Sequence, residues 1–154
     1  MPAKQNKESA RFMNEILELQ TGQVSFISGL MAGFSLSVAV QVIRSKDKSN
    51  LAIGTFILFT VTSLLFLIAL YIDVALSLRI AGVSEFSPAL LERIVYVRAI
   101  GTSAATSALF LFIVSIGIIG WLQSRLSGVV TSIVALITIA IVWVARSMIF
   151  EVVG

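Results

Sequence analysis

The sequence predicts an all-α integral membrane protein with four transmembrane helices. Hydrophobic residues make up 58% of the 154 residues, and the mean hydropathy is +1.03. Only 12% of the residues are charged, and a soluble domain of this size cannot bury so much apolar surface. The apolar residues fall into long segments at about 22–43, 51–78, 95–122 and 129–149. Each segment is long enough to cross a bilayer core of about 30 Å as a helix.

The composition also narrows the functional classes. Cysteine and histidine are absent, which excludes disulfides, thiolate nucleophiles and most zinc, copper and haem sites. The net charge of +3 comes from scattered basic residues, so no nucleic-acid surface is indicated. No catalytic constellation is visible, and a lipid-head-group enzyme using Asp73 is an option without further support. We therefore expect neither an enzyme nor a bound metal or cofactor.

Residues 1–21 are predicted to be a polar tail with an amphipathic lead-in helix. Within Ser9–Gln20, the apolar residues Phe12, Ile16 and Leu19 share one side at helical spacing, and charged residues surround the other side. Two interpretations stay open. The helix lies at the membrane interface, or it continues the first transmembrane helix into water.

The first apolar segment, 22–43, is rich in small residues. Gly29 and Gly33, followed by Ser37, form a small-xxx-small pattern that permits close helix approach. We expect the two glycines to be a helix-packing face, with the small residues 99–108 of the third segment as a natural partner. The charged turn 44–50 is so short that the second segment must return antiparallel.

The remaining segments follow with short connections. The second segment is longer than a bilayer requires, so it tilts or extends beyond the membrane. In the loop 79–93, Ser87-Pro88 predicts a helix start, because proline suits the first helical position. Four spans place both termini on one side of the membrane. The residues 22–154 thus form one four-helix transmembrane domain.

The distribution of basic residues favours cytoplasmic termini in a plasma or cytoplasmic membrane. The side of the termini carries Lys4, Lys7, Arg11, Arg79, Arg93, Arg98 and Arg146. The opposite side carries Arg44, Lys46, Lys48 and Arg125.

Three charged residues fall inside the apolar segments near one leaflet, namely Asp73, Arg98 and Arg146. Charges in hydrocarbon cost several kcal/mol unless they are paired or hydrated. We favour an intramembrane ion-pair cluster in which Asp73 pairs with Arg98 or Arg146. The next interpretation is that the arginines extend toward the interface. An ion or proton relay is less favoured, because the segments contain only one carboxylate.

A line of residues on the first segment has a distinct chemical pattern. Helical spacing aligns positions within about 40° of one line. These positions are Gln23, Ile27, Leu30, Phe34, Ser37 and Gln41. The line has an amide at each end and a bulky apolar centre. Ordinary helix packing explains it, but if five or six copies met around an axis it would line a narrow pore with an apolar constriction that gates by dewetting.

The segment SGLMAGFSLSVAVQV (28–42) resembles the first transmembrane helix of Orai, the pore family of store-operated calcium channels. The shared features are Ser28, Leu30, the pair Gly33-Phe34 and the frame Val40-x-Val42. IALYI (68–72) resembles part of the family's second helix, and the ending Arg146–Ile149 resembles that of its fourth helix.

The resemblance implies a ring-shaped homo-oligomer, hexameric in the family, with the first helix at the centre and the fourth outermost. It assigns Gln41 to the selectivity ring and Ser37, Phe34 and Leu30 to the pore wall below. The family has a glutamate where this chain has Gln41, and an amide ring lacks the charge that concentrates Ca²⁺. The family's tail for its activating partner has no counterpart after Gly154, so gating by that partner is not expected.

Two functional hypotheses result. The first is a homo-oligomeric cation channel with weak or no Ca²⁺ selectivity, whose partners are its own copies, the lipid bilayer and the permeant ions. The alternative is a non-conducting structural or accessory subunit that binds other membrane proteins through small-residue helix faces.

Overall fold

Four long α-helices account for nearly all of the described backbone. The computed structural model describes the backbone of residues 2–45, 49–80 and 88–153, and the side chains of 22–45, 49–80, 89–90 and 92–148. The helices are α1 (Pro2–Arg44), α2 (Asn50–Ile80), α3 (Pro88–Gln123) and α4 (Arg125–Val153). Each contains a segment long and apolar enough to span a membrane: Gly22–Arg44, Asn50–Ile80, Glu92–Gln123 and Arg125–Met148. The predictions of an all-α chain and of four such helices are confirmed.

The first helix is much longer than a membrane requires. α1 has 43 residues, which corresponds to about 64 Å at 1.5 Å per residue. The lead-in segment and the first span therefore form one continuous helix, and its position at the interface or in water stays a prediction. The amphipathic pattern of residues 1–21 depends on side chains outside the described part of the chain.

Local sequence signals explain the helix boundaries. α3 begins at Pro88, as predicted, because proline has no amide hydrogen to lose in the first turn. Ser49 caps α2, since its Oγ accepts a hydrogen bond from the Ala52 amide at 3.2 Å. Ser124 caps α4 in the same way through the Ser127 amide at 3.1 Å, and side-chain caps of this kind satisfy amides that have no helical partner.

The helices pack in chain order, with α1 against α2, α2 against α3, and α3 against α4. The core lies between the first three helices, where alanines let bulky aromatic rings approach. Its buried members are Ala32, Ala39, Phe59, Phe66, Ala108 and Phe112. The rings of Phe59 and Phe112 meet edge to face with centroids 6.1 Å apart, a favourable aromatic geometry.

Hydroxyl groups inside this core are satisfied mainly by backbone carbonyls. The Thr55 and Thr62 hydroxyls donate to carbonyls one turn earlier in α2, at 2.8 and 2.7 Å. The Ser63 hydroxyl instead donates across the interface to the Ala32 carbonyl of α1 at 2.9 Å. Such interhelical bonds join helices in a membrane, where no hydrophobic effect drives them together.

Candidate functional site

One side of α1 is its packing face. Ser28, Ala32, Ser35, Ala39 and Val42 are all buried, and they recur at intervals of three and four residues. Small side chains at this spacing let the backbones of α1 and α2 come close. The spacing of these small residues is visible in the sequence. The prediction nevertheless assigned the packing role to Gly29 and Gly33, because they form the small-xxx-small pattern.

The opposite side of α1 carries the predicted pore line. At 100° per residue the line lies about 140° from the packing face. All its members are exposed in the single chain: Gln23, Ile27, Leu30, Phe34, Ser37 and Gln41. Leu30 and Phe34 are 61% and 59% exposed, whereas Ala32 between them is 3% exposed. We call this line, Gln23 to Gln41, the pore face.

Two members of the pore face also make contacts within the chain. The Phe34 ring meets Phe112 of α3 edge to face, with centroids 6.2 Å apart, so one edge of the ring is held. The Ser37 hydroxyl donates to the Gly33 carbonyl at 2.9 Å, and its oxygen can still accept a hydrogen bond. The pore face is therefore apolar at its centre, and its polar groups can still bind water.

The two glycines predicted for helix packing have different surroundings. A Cβ added to Gly29 would lie 3.2 Å from Leu70 Cδ1 of α2, so this glycine sits at the α1–α2 interface. A Cβ added to Gly33 would meet nothing within 4 Å, and the residue is exposed. Within one chain, α1 thus leaves the Gly33 side uncovered.

A second polar feature lies where α1, α2 and α3 meet. The Ser25 hydroxyl of α1 donates to Asp73 Oδ2 of α2 at 2.6 Å. Asp73 also lines a cavity of about 80 Å³ together with Arg98 and Thr102 of α3. We call this group the Asp73 cavity.

The structure brings only part of the predicted ion-pair cluster together. Asp73 and Arg98 line the same cavity, whereas the Asp73 carboxylate accepts its hydrogen bond from the Ser25 hydroxyl. Arg146 lies on α4, outside that lining, and its side chain is exposed. Ser25 is absent from the predicted cluster, because nothing in an apolar helix marks one serine as the partner of an acid on another helix.

The described part of the chain offers no metal centre. No three acidic, histidine or cysteine side chains within it lie close enough to hold a metal ion. The features with distinctive chemistry are therefore the pore face and the Asp73 cavity.

Comparison with known proteins identifies no relative of this chain. No family model, no curated protein and no solved structure matches the chain.

Proposed function

We propose that the chain is the subunit of a homo-oligomeric, Orai-like membrane channel in which α1 from five or six copies surrounds a cation-conducting pore. One observation carries the proposal. The pore face lies on the side of α1 opposite the packing face, and all its members are exposed although the Phe34 ring also touches Phe112, with polar groups at both ends. In a ring with α1 innermost, this face lies on the axis and meets water and permeant ions.

The order of residues along the pore face suits a gated pore. Gln41 stands at one mouth and Ser37 one turn below it, followed by Phe34, Leu30 and Ile27, with Gln23 at the other end. Rings of amides and hydroxyls can replace part of an ion's hydration shell, and an apolar constriction blocks ions by dewetting. The Phe34 and Leu30 side chains would form that constriction.

The pore face carries no charge, and this sets the expected selectivity. Calcium binds best to carboxylate and carbonyl oxygens, usually six to eight of them. A ring of Gln41 amides supplies oxygens without the negative charge that concentrates a divalent cation. We therefore assign weak or no Ca²⁺ selectivity to the pore.

The membrane and the orientation are part of the proposal. Basic residues favour the side of the termini, and this bias puts the termini in the cytoplasm. A plasma or cytoplasmic membrane fits this arrangement.

Substitutions in the apolar part of the pore face test the proposal. Phe34→Ala removes a bulky ring from the constriction, and Leu30→Ser makes the constriction more polar. The single-channel conductance in planar bilayers should therefore rise by several-fold to about tenfold. A tenfold change corresponds to about 1.4 kcal/mol removed from the barrier. The measurement compares purified variants with the wild-type protein at equal protein-to-lipid ratio.

Leu36 provides a matched control. It is exposed on the same helix, 49% against 61% for Leu30, but it lies on the other side of α1 from the pore face. Leu36→Ser should leave the conductance unchanged. If neither the wild-type protein nor a pore-face variant carries current, or if Leu36→Ser acts like Leu30→Ser, the channel proposal is wrong.

One observation favours the alternative, a non-conducting subunit that binds other membrane proteins. Gly33 on α1 has open space around it, and Ser103 and Ser107 of α3 are exposed one turn apart. Small residues at such spacing are typical of helix docking faces. Co-purification of an unrelated membrane protein, lost in Gly33→Leu, would support this function over the channel.

A further inference from the structure

α3 and α4 are in close contact near the turn that joins them. A Cβ added to Gly117 would lie 3.2 Å from the Cβ of Ala135, and one added to Gly120 would meet the Thr131 side chain. Ile113, further from the turn on the same side of α3, is still buried. These residues define the faces through which the two helices of the hairpin pack.

Toward the other end of the hairpin, the same two faces become exposed. On α3, Thr102 and Ser103 lie within about 40° of Gly120 and Gly117 by helical spacing, yet both are exposed. On α4, Arg146 lies about 20° from Ala135 by the same spacing, and it is exposed as well. The two helices thus cover each other less at this end and leave a wedge between them. We call its polar residues the α3–α4 wedge: Thr102, Ser103 and Arg146.

The register of the hairpin brings the polar residues of the wedge to one level. The Gly117 carbonyl accepts hydrogen bonds from the Thr131 and Ser132 hydroxyls of α4 at 3.1 and 3.5 Å. Fourteen residues further from the turn than Gly117 and Ser132, the two helices carry Ser103 and Arg146. Because both helices rise by about 1.5 Å per residue, these two positions lie opposite each other.

The wedge lies near the end of the membrane-spanning part of α4. The candidate span Arg125–Met148 ends two residues after Arg146. Trp143, about one turn before Arg146, is 64% exposed. Exposed tryptophans and basic residues are typical of the boundary between membrane and water, and a long arginine side chain extends its charge toward that boundary. These signals place the wedge at the level of lipid head groups.

The donors of the wedge suit a phosphate group. The Arg146 guanidinium presents its N–H groups in a planar fork that matches a phosphate, and charge-assisted bonds of this kind are strong. The Thr102 and Ser103 hydroxyls add donors from the other helix. Asp73 and Arg98 line a cavity together with Thr102. Arg146 adds a positive charge on the α4 side of this residue.

The surface of α4 beside Arg146 suits acyl chains. An open groove of about 420 Å³ follows α4 at this end and is lined by apolar residues alone, namely Ala140, Ile141, Val144, Ala145 and Met148. Ala145 directly precedes Arg146 in the chain. Groups that bind a phosphate and surface that binds hydrocarbon therefore occur at the same end of α4, as the two parts of a phospholipid require.

We propose that the α3–α4 wedge binds the phosphate of an anionic phospholipid, held by the Arg146 guanidinium and the two exposed hydroxyls of α3. The lipid bridges the helices where they no longer cover each other, and its acyl chains lie on the apolar surface of α4. Basic pockets between transmembrane helices bind anionic head groups in this way. The site does not depend on ion conduction, since a channel and an accessory subunit could both carry it.

Quenching of Trp143 fluorescence by brominated lipids tests this site. Trp121→Phe removes the other of the two tryptophans, so the signal reports on the end of α4 that carries the wedge. The protein is placed in phosphatidylcholine vesicles that contain a small share of acyl-brominated phosphatidylglycerol or acyl-brominated phosphatidylcholine. The apparent affinity for phosphatidylglycerol should be higher by about fivefold, the effect of one basic residue near an anionic lipid.

Substitutions with matched controls locate the binding. Arg146→Gln should reduce the preference for phosphatidylglycerol to about one. Arg125→Gln removes the same charge from the other end of α4, where it is also exposed, and should leave the preference unchanged. Thr102→Val should lower it about twofold, because a hydroxyl bond to a phosphate is lost. Thr60→Val, the same change on α2, should have no effect.

Native mass spectrometry of the chain with both tryptophans counts bound phosphatidylglycerol and makes the same comparison, so the test does not depend on Trp121→Phe folding. Equal affinity for the two lipids would overturn the proposal, as would equal effects of Arg146→Gln and Arg125→Gln. An unchanged preference in Thr102→Val, with circular dichroism showing native helix content, would remove the wedge as the site. Release of phosphatidylglycerol by millimolar inorganic phosphate would assign the site to a free anion and overturn the lipid.

Discussion

At the scale of single residues, Gln41 sets the ion selectivity that we expect of the proposed pore. Its side chain is exposed near the end of α1, at the mouth of the proposed pore. Changing the amide to a carboxylate keeps the shape of the side chain and would add one negative charge per copy to the proposed ring.

We expect Gln41→Glu to raise the preference for Ca²⁺ over Na⁺ by about tenfold or more, since charged clefts concentrate counter-ions by about 10- to 1,000-fold. Reversal potentials under bi-ionic conditions measure the permeability ratio. Gln123→Glu is the control, because it adds the same charge at the exposed end of α3, on the same membrane side. An equal effect of both substitutions would show that general surface charge, and not a ring of position 41, sets the preference.

Two buried serines illustrate what single residues do not reveal in a sequence. The Ser63 hydroxyl reaches the Ala32 carbonyl at 2.9 Å. The Ser35 oxygen is buried as well, but it has no hydrogen-bond partner within the described part of the chain. Both are serines in apolar helices, so the difference in their hydrogen bonding depends on how α1 and α2 are rotated against each other. That rotation is a tertiary property which local spacing does not encode.

At the scale of elements, the α3–α4 hairpin depends on glycines at its turn. A Cβ on Gly120 would lie 2.8 Å from the Ser127 carbonyl oxygen and 2.9 Å from Thr131 Cγ2, distances that real Cβ atoms do not adopt. Trp121 closes the hairpin through its indole N–H, which donates to the Ser132 hydroxyl at 3.0 Å. The backbones can approach this closely only where no side chain intervenes.

We therefore expect Gly120→Ala to lower the free energy of unfolding by about 1–3 kcal/mol, the usual cost of overpacking. Gly33→Ala is the matched control. It meets open space and should be neutral or stabilising by up to about 1 kcal/mol through helix propensity. Unfolding in mixed micelles with increasing dodecyl sulfate measures both. Equal destabilisation by the two substitutions would contradict this account of the hairpin.

The elements themselves were predictable from the sequence, because length and apolarity decide membrane helices almost alone. Pro88 even marked the start of α3. The packing face of α1 was less predictable, since nearly every side of that helix carries small residues. Gly33 and Ala32 are adjacent in sequence, yet Ala32 is buried and Gly33 faces open space. Only the position of α2 distinguishes them.

At the scale of the whole molecule, α1 and α4 each pack mainly against one neighbouring helix, α2 and α3 respectively. Their exposed apolar side chains need either lipid or another copy of the chain. Between positions 126 and 145, every exposed side chain of α4 is apolar, as a lipid-facing helix should be. α1 instead exposes Gln23, Ser37 and Gln41 beside its apolar residues, which suits a face that meets water at the centre of a ring.

The ring makes a prediction about stoichiometry. The detergent-solubilised particle should have a protein mass five or six times the 16.6 kDa of one chain, measured by native mass spectrometry. A monomer or dimer that carries no current would favour the accessory subunit instead. Stoichiometry alone does not show which helix is central. The channel proposal also requires that α1 lie at the centre of the ring and α4 at its outside.

Disulfide trapping decides that order, because the chain has no cysteine of its own. Leu30→Cys and Ile137→Cys introduce thiols at positions of similar exposure, 61% and 55%, on the pore face and on α4. With α1 on the axis, oxidation should join the position-30 thiols of neighbouring copies into covalent dimers, while the position-137 thiols stay separated by the width of the ring wall. Dimers through position 137 and none through position 30 would reverse the order and place α4 at the centre. Because both thiols sit in the same bilayer at similar exposure, a difference between them reports distance and not reactivity.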